Sequence, residues 1–219
     1  MGRDKHVKGG PEKSVIVIAG EGQHDRDVLR HLLPALRPWP ASRSPKIVEI
    51  KKSMRLNKAV YQLAPRLDEL RRLAQAQAKL AQAKLAGVVV HVDFDAVVDE
   101  SYVTRRKQLS DDLDQAFGCH TALALAADEM EAWLMLFPDA FPKVKQTWRL
   151  PEQDRKRNLG VIPGGSKELL KARLSQPQYR ESDAPAIMKA AVTHGLVASC
   201  QSNRNRSYAD FATELEAWK

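Results

Sequence analysis

The sequence predicts an α/β protein built on a mainly parallel, Rossmann-like sheet flanked by helices, with a helical extension towards the C-terminus. Three observations predict it: short β-branched apolar runs, longer stretches with apolar residues at three- and four-residue spacing, and a regular alternation of the two. Such alternation makes successive strands parallel, because each intervening helix carries the chain back across the sheet.

Residues 1–13 are polar and punctuated by Gly and Pro, which predicts a loose arm carrying Arg3, Lys5, Lys8 and Lys13. Ser14–Ala19 is apolar and too brief for a helix, so it is the first buried strand, bounded by Gly20 and Gly22. Val28, Leu29, Leu32, Leu33 and Leu36 then form one helical stripe that runs to the break at Pro38 and Pro40. Lys46–Ile50 is the second strand. A long helix is expected from about Asn57 to Leu85, with Val60, Leu63, Leu67, Leu70 and Leu73 on one face and Gly87 as its stop. Val88–Asp93 is apolar enough for burial on both faces, which makes it a central strand.

Residues 103–116 read as helix and His120–Leu125 as a fourth, weaker strand, followed by a helix through Glu129, Trp133 and Leu136. From Phe137 the texture changes. Pro138, Pro142, Pro151 and Pro163 separate helices expected around 166–174, 184–196 and 207–218. The expected organisation is an arm over 1–13, an α/β core over 14–137, and a helical extension over 138–219 packed on that core.

A chain of 219 residues accommodates one such domain but not two full ones. Its 43% hydrophobic and 28% charged content excludes wholesale disorder and fibrous structure. No apolar run approaches the roughly 20 residues that span a bilayer, and the opening residues lack the apolar core of a secretion signal, so no membrane role and a cytoplasmic location are expected. Cys119 and Cys200 belong to no CxxC pair and read as reduced structural thiols. The formal charge of +8 favours polyanions without specifying one.

In open parallel sheets the functional crevice lies beyond the carboxyl ends of the strands. Glu21 follows the first strand, while Asp93 and Asp95 flank Phe94 at the end of the third, so carboxylates from two strand ends are expected to converge. Gathering like charges is costly unless a cation neutralises them, and hard oxygen ligands suit Mg²⁺ or Mn²⁺.

Gly20-Glu21-Gly22-Gln23-His24-Asp25, followed about seventy residues later by Val92-Asp93-Phe94-Asp95, resembles the Glu and Asp-x-Asp signature of the TOPRIM fold, shared by primases, topoisomerases and OLD-family nucleases. Glu129-Met130-Glu131-Ala132-Trp133-Leu134 and Lys167-Glu168-Leu169-Leu170 extend the likeness to small stand-alone TOPRIM-like proteins found among bacterial phage-defence genes. The resemblance implies a nuclease that cuts DNA or RNA and works beside a separately encoded ATPase, with self-association left open. It implies Glu21 as metal ligand or general acid/base, Asp93 and Asp95 as Mg²⁺ ligands, Asp25 as a further ligand, and Glu129 or Glu131 at a second metal position. Lys167 resembles the lysine that opposes developing phosphate charge in OLD-type enzymes. Where the family often has Thr-Glu, this chain has His24-Asp25.

Five acids suffice for two ions, which would activate the attacking water and steady the leaving oxygen. Lys143, Lys145, Arg155, Lys156, Arg157, Lys171 and Arg173 follow the acidic segment and are the expected backbone-binding flank, with Arg204 and Arg206 as further contacts.

Other readings stand beside these. A TOPRIM-like module that binds nucleic acid or a partner without cutting is one. A haloacid-dehalogenase-like phosphatase using Asp93 and Asp95 is another, although it leaves Glu21 unexplained. Glu129 and Glu131 also fit surface acids at a helix start, where the dipole favours negative charge. Trp133 and His91 read as core residues, Ser166 as a helix cap, and Arg204-Asn205-Arg206 as an exposed basic turn. Pro163-Gly164-Gly165-Ser166-Lys167 lacks the spacing of a P-loop, so nucleotide hydrolysis is not indicated.

Overall fold

The computed structural model describes residues 13–56 and 63–218. Four parallel strands, β1 (Ser14–Ala19), β2 (Lys46–Glu49), β3 (Lys84–Asp93) and β4 (His120–Ala126), form one sheet in the order β2-β1-β3-β4. The chain is therefore α/β with an all-parallel Rossmann-like sheet, as its alternation predicts. Arg3, Lys5, Lys8 and Val60 lie outside the described residues.

Side chains alternate along each strand, so the sheet divides the core into two layers. Val17, Ala19, Val88, Val90, Val92, Leu123 and Leu125 face α2 (Leu63–Leu80) and α3 (Glu100–Ala116). Ile16, Ile18, Val89, Ala122, Ala124 and Ala126 face α1 (Gln23–Leu36) and the helices that follow β4. Those helices are the short α4 (Met130–Leu134), α5 (Phe141–Val144) and α6 (Glu152–Lys156), then α7 (Ser166–Arg173), α8 (Ala184–Thr193) and α9 (Arg206–Glu216). Phe211 and Tyr208 of α9 lie against Trp133, with ring centroids 5.4 and 5.5 Å apart, and Trp133 is fully buried. The C-terminal helices thus share one continuous core with the sheet.

The boundary between α2 and β3 departs from the sequence expectation. The helix ends at Leu80, not Leu85, and Lys84–Gly87 belong to the strand. Ser14 and Val15 need a neighbour on the β3 side, which Lys84 and Leu85 supply, and the Lys84 N–H donates to the Lys13 carbonyl at 2.9 Å. Gln82 makes the reversal in the left-handed region, at φ 49°. A register shift places Ile16 opposite Gly87 rather than Ala86. Gly87 stops no helix; a Cβ there would lie 2.8 Å from the Trp218 ring, so glycine lets the indole close over the strand. This pairing outweighs the helix propensity of the Ala- and Leu-rich stretch.

Candidate metal centre

Parallel pairing of β1 with β3 puts their carboxyl ends side by side, with Ala19 opposite Val90. The chain leaves β1 through Gly20, where a Cβ would stand 2.8 Å from the Cβ of His91, so only glycine lets this turn cross so close to β3. Buried Arg26 fixes the turn by donating to the Gly20 carbonyl at 2.9 Å and, more weakly, to the Lys51 carbonyl at 3.4 Å. Glu21 therefore projects at the same rim as Asp93. Burial first, then the charge of Asp93, raise the Glu21 carboxyl above its usual range, while Arg55, 3.4 Å from Glu21, opposes the rise.

Beneath this rim, Val89, His91 and Asp93 lie on one face of β3 by strand alternation. The His91 side chain is wholly removed from solvent. Its Nδ1 lies 3.7 Å from Asp25 Oδ2 and its Nε2 3.4 Å from Asp93 Oδ1, and neither nitrogen makes a well-formed hydrogen bond among the described residues. Burial alone would lower the imidazole's pKa, but the contact with Asp93 and the charges of Asp93, Asp25 and Glu21 prevail and raise it. Asp25 sits in the first turn of α1, where the helix dipole favours a carboxylate. A Cβ on Gly22 would collide with that carboxylate.

Ligand atoms of Asp25, His91 and Asp93 lie within 4.8 Å of one another, so this group could bind a metal ion. An imidazole without a good hydrogen bond, fully buried between two carboxylates, fits that role. Burying an imidazole without a good partner is costly, and a cation bound by one of its nitrogens and the two carboxylates would relieve part of that cost.

The remaining predicted site residues divide around a second recess. Asp95 turns away from the strand in the left-handed region, at φ 55°, and its carboxyl is raised by burial, then by Asp93, with Lys167 acting against the rise. It lines an open recess of about 260 Å³ with Asp128, Glu129, Gly164, Gly165, Lys167 and Glu168. Lys167 pairs with Glu129 at 2.7 Å and with Glu181 at 3.3 Å; these carboxylates outweigh the effect of its burial and raise its pKa.

Glu131 is placed elsewhere. It is 5% exposed rather than a surface acid, accepts a hydrogen bond from the Tyr179 hydroxyl at 3.0 Å, and is pushed up to about 7 by burial and then by Glu129. Ser166 is not the helix cap that the sequence suggests. Gly165 is the cap residue of α7, and Asp128 and Glu129 accept from the Ser166 and Lys167 N–H groups at 2.6 and 3.3 Å.

Most of the expected basic flank is already engaged. Arg173 and Arg157 pair with the fully buried Asp154 at 2.7 and 3.3 Å, Arg155 with Asp139 at 2.7 Å, and Lys156 with Glu152 at 2.9 Å. Lys145 pairs with Asp183 at 2.9 Å and lies over the Trp148 ring, and Lys171 pairs with Glu168 at 2.7 Å. Arg204 donates to the carbonyls of Asp154 and Arg157, which makes it part of the fold rather than an exposed turn, and Arg206 lies 3.7 Å from Asp210. Lys143 is exposed.

Sequence reasoning undervalued His91 and overlooked Arg26 and Asp128. For His91 a signal existed: it is two residues before Asp93 on a strand, hence on the same face. Arg26 and Asp128 act through backbone carbonyls and N–H groups whose positions only the fold reveals. Among the described residues no helix is long and apolar enough to cross a membrane. No family model, curated protein or solved structure matches the chain.

Proposed function

We propose that the chain is a divalent-metal-dependent nuclease, with the ion held at the carboxyl end of the sheet. The observation that carries this reading is the buried His91 between Asp25 and Asp93, directly below Glu21. The resemblance of the Glu21 and Asp93-Phe94-Asp95 segments to the TOPRIM signature supports phosphodiester chemistry over other metal-assisted hydrolysis. The metal would be Mg²⁺ or Mn²⁺, and the imidazole tilts the preference towards Mn²⁺, because nitrogen ligands suit later first-row ions better than Mg²⁺.

On this reading Asp25, His91 and Asp93 would hold the ion, which would supply Lewis-acid activation of water and of a phosphoryl oxygen. Glu21, with its raised pKa, is suited to accept or return a proton at the rim. Asp95 faces the recess that contains Lys167, whose ammonium would offset phosphate charge. The ATPase partner and the setting in phage defence belong to this same reading.

The test is incubation with plasmid DNA and with single-stranded RNA in Mg²⁺ or Mn²⁺, alongside Glu21→Gln and Asp93→Asn. Cleavage by the unaltered protein that both substitutions abolish, with the fold intact, is expected. Absence of cleavage with either metal removes the enzyme and favours a binding module. Turnover of p-nitrophenyl phosphate in place of nucleic acid favours the phosphatase reading of Asp93 and Asp95.

A further inference from the structure

The amino-terminal end of the sheet carries the opposite electrostatic character. Two adjoining cavities of about 590 and 600 Å³ open there and share Ser14 and Arg43. Their cationic lining is Arg37, Arg43 and Lys84 in one, and Lys13, Arg43 and Lys46 in the other, and no Asp or Glu among the described residues lines either. Lys13, Arg43, Lys46 and Lys84 are all exposed. None of the four forms an ion pair among the described residues, in contrast to the C-terminal cations.

Aromatic rings lie beside these cations. Trp39, His120 and Trp218 line the first cavity, and His120 stacks on Trp218 with centroids 5.4 Å apart and planes 15° from parallel. The Arg37 guanidinium lies 5.8 Å from the Trp39 ring centroid and donates to the Trp218 carbonyl at 3.0 Å, tying the two indole-bearing segments together.

Clustered cations without counter-charges repel one another, and an anion relieves that cost. Rings next to a cationic groove are the arrangement on which nucleobases stack while the backbone is held by charge. Each cavity has the size of a small-molecule site.

We propose that this end of the sheet binds a ligand carrying both phosphate and a nucleobase, either a stretch of single-stranded nucleic acid or a free nucleotide. The phosphates lie against Arg43, Lys84, Lys13 and Lys46, and the base lies against Trp39 and His120. The site is separated from the metal centre by the length of β3, roughly 30 Å at about 3.3 Å per residue. It is independent of whether the acidic rim cuts anything.

The test measures binding by the full chain in EDTA, so that neither metal nor cleavage enters. Fluorescence anisotropy follows a short labelled oligothymidylate, and intrinsic tryptophan fluorescence follows AMP, with orthophosphate as competitor. Arg43→Ala combined with Lys84→Ala should weaken binding about tenfold or more and flatten the salt dependence, whose log-log slope falls by about 0.7 for each phosphate that is no longer neutralised. Arg71→Ala combined with Lys107→Ala removes the same charge from surface pairs elsewhere and serves as the control. Binding of oligothymidylate that is weakened to this extent only in the first pair supports the site with a strand as ligand; binding of AMP alone, weakened in the same way, supports it with a free nucleotide. Equal weakening in both pairs, no binding of either probe, or displacement by orthophosphate as effectively as by AMP overturns the proposal.

Discussion

The Nε2 of His91 lies 3.4 Å from Oδ1 of Asp93, two residues further along the same face of β3, and the imidazole is sealed from solvent. This pair joins the sheet to the chemistry of its rim. Strand alternation sets the direction of both side chains, and the glycine turn after β1 closes over them.

His91→Gln should weaken Mn²⁺ binding by at least about tenfold, a loss of the size that removing a supporting metal contact produces. The pH dependence has a definite sign. The imidazole's raised pKa means that protons compete with the metal to higher pH than at an ordinary histidine, so Mn²⁺ affinity of the unaltered protein should climb as pH rises through the raised value. In metal-free protein the same raised value contributes stability that is full below the unfolded pKa, near about 6.5, and is lost as pH rises through the folded one. Calorimetric titration with Mn²⁺ and thermal melts across this window should show both trends flattened in His91→Gln.

Glu131 offers an independent check on the core. Its carboxyl titrates at about 7 when folded, above its ordinary value of 4.5, so the folded state holds the extra proton between the two values. Stability should therefore fall as pH rises from the lower value through the upper one. Glu131→Gln keeps the acceptor for the Tyr179 hydroxyl and removes the buried charge. It should stabilise the protein by roughly 1–3 kcal/mol at pH about 8 and by little at pH about 5, read from urea unfolding.

Gly20→Ala should be costly out of proportion to one methyl group. The new Cβ would meet the His91 Cβ at 2.8 Å, between two strands that cannot part without losing backbone pairing. A loss of about 1–3 kcal/mol in chemical denaturation is expected. Mn²⁺ affinity should fall with it, because the displaced His91 belongs to the proposed ligand set.

Asp128→Ala should cost about 1 kcal/mol by uncapping α7, and more because alanine tolerates φ 62° less well than aspartate. Asp128→Asn retains an acceptor oxygen and the left-handed preference. Most of the stability should return in that variant, as measured by thermal unfolding.

The fold was legible because its strands are short, apolar and separated by amphipathic stretches, which leaves few topologies to choose from. The α2 to β3 boundary was not, since Lys84 and Leu85 have no local signal for strand and acquire it only from Ser14 and Val15. That Glu21 and Asp93 leave neighbouring strand ends was legible from position alone; that Asp95 turns to the second recess was not, because its left-handed backbone has no local sequence signal. Glu131 was not, because its inward orientation depends on Tyr179, 48 residues later in the chain. The C-terminal basic residues misled for a similar reason: the sequence shows Arg157 and Arg173 as free cations, and only packing brings both to Asp154.

The most direct test of the metal centre is the anomalous difference map of a crystal soaked in Mn²⁺. A single strong peak in contact with Asp25, His91 and Asp93 is the predicted result. Manganese density confined to the Asp95, Asp128 and Glu129 recess, or none within reach of His91, would contradict it.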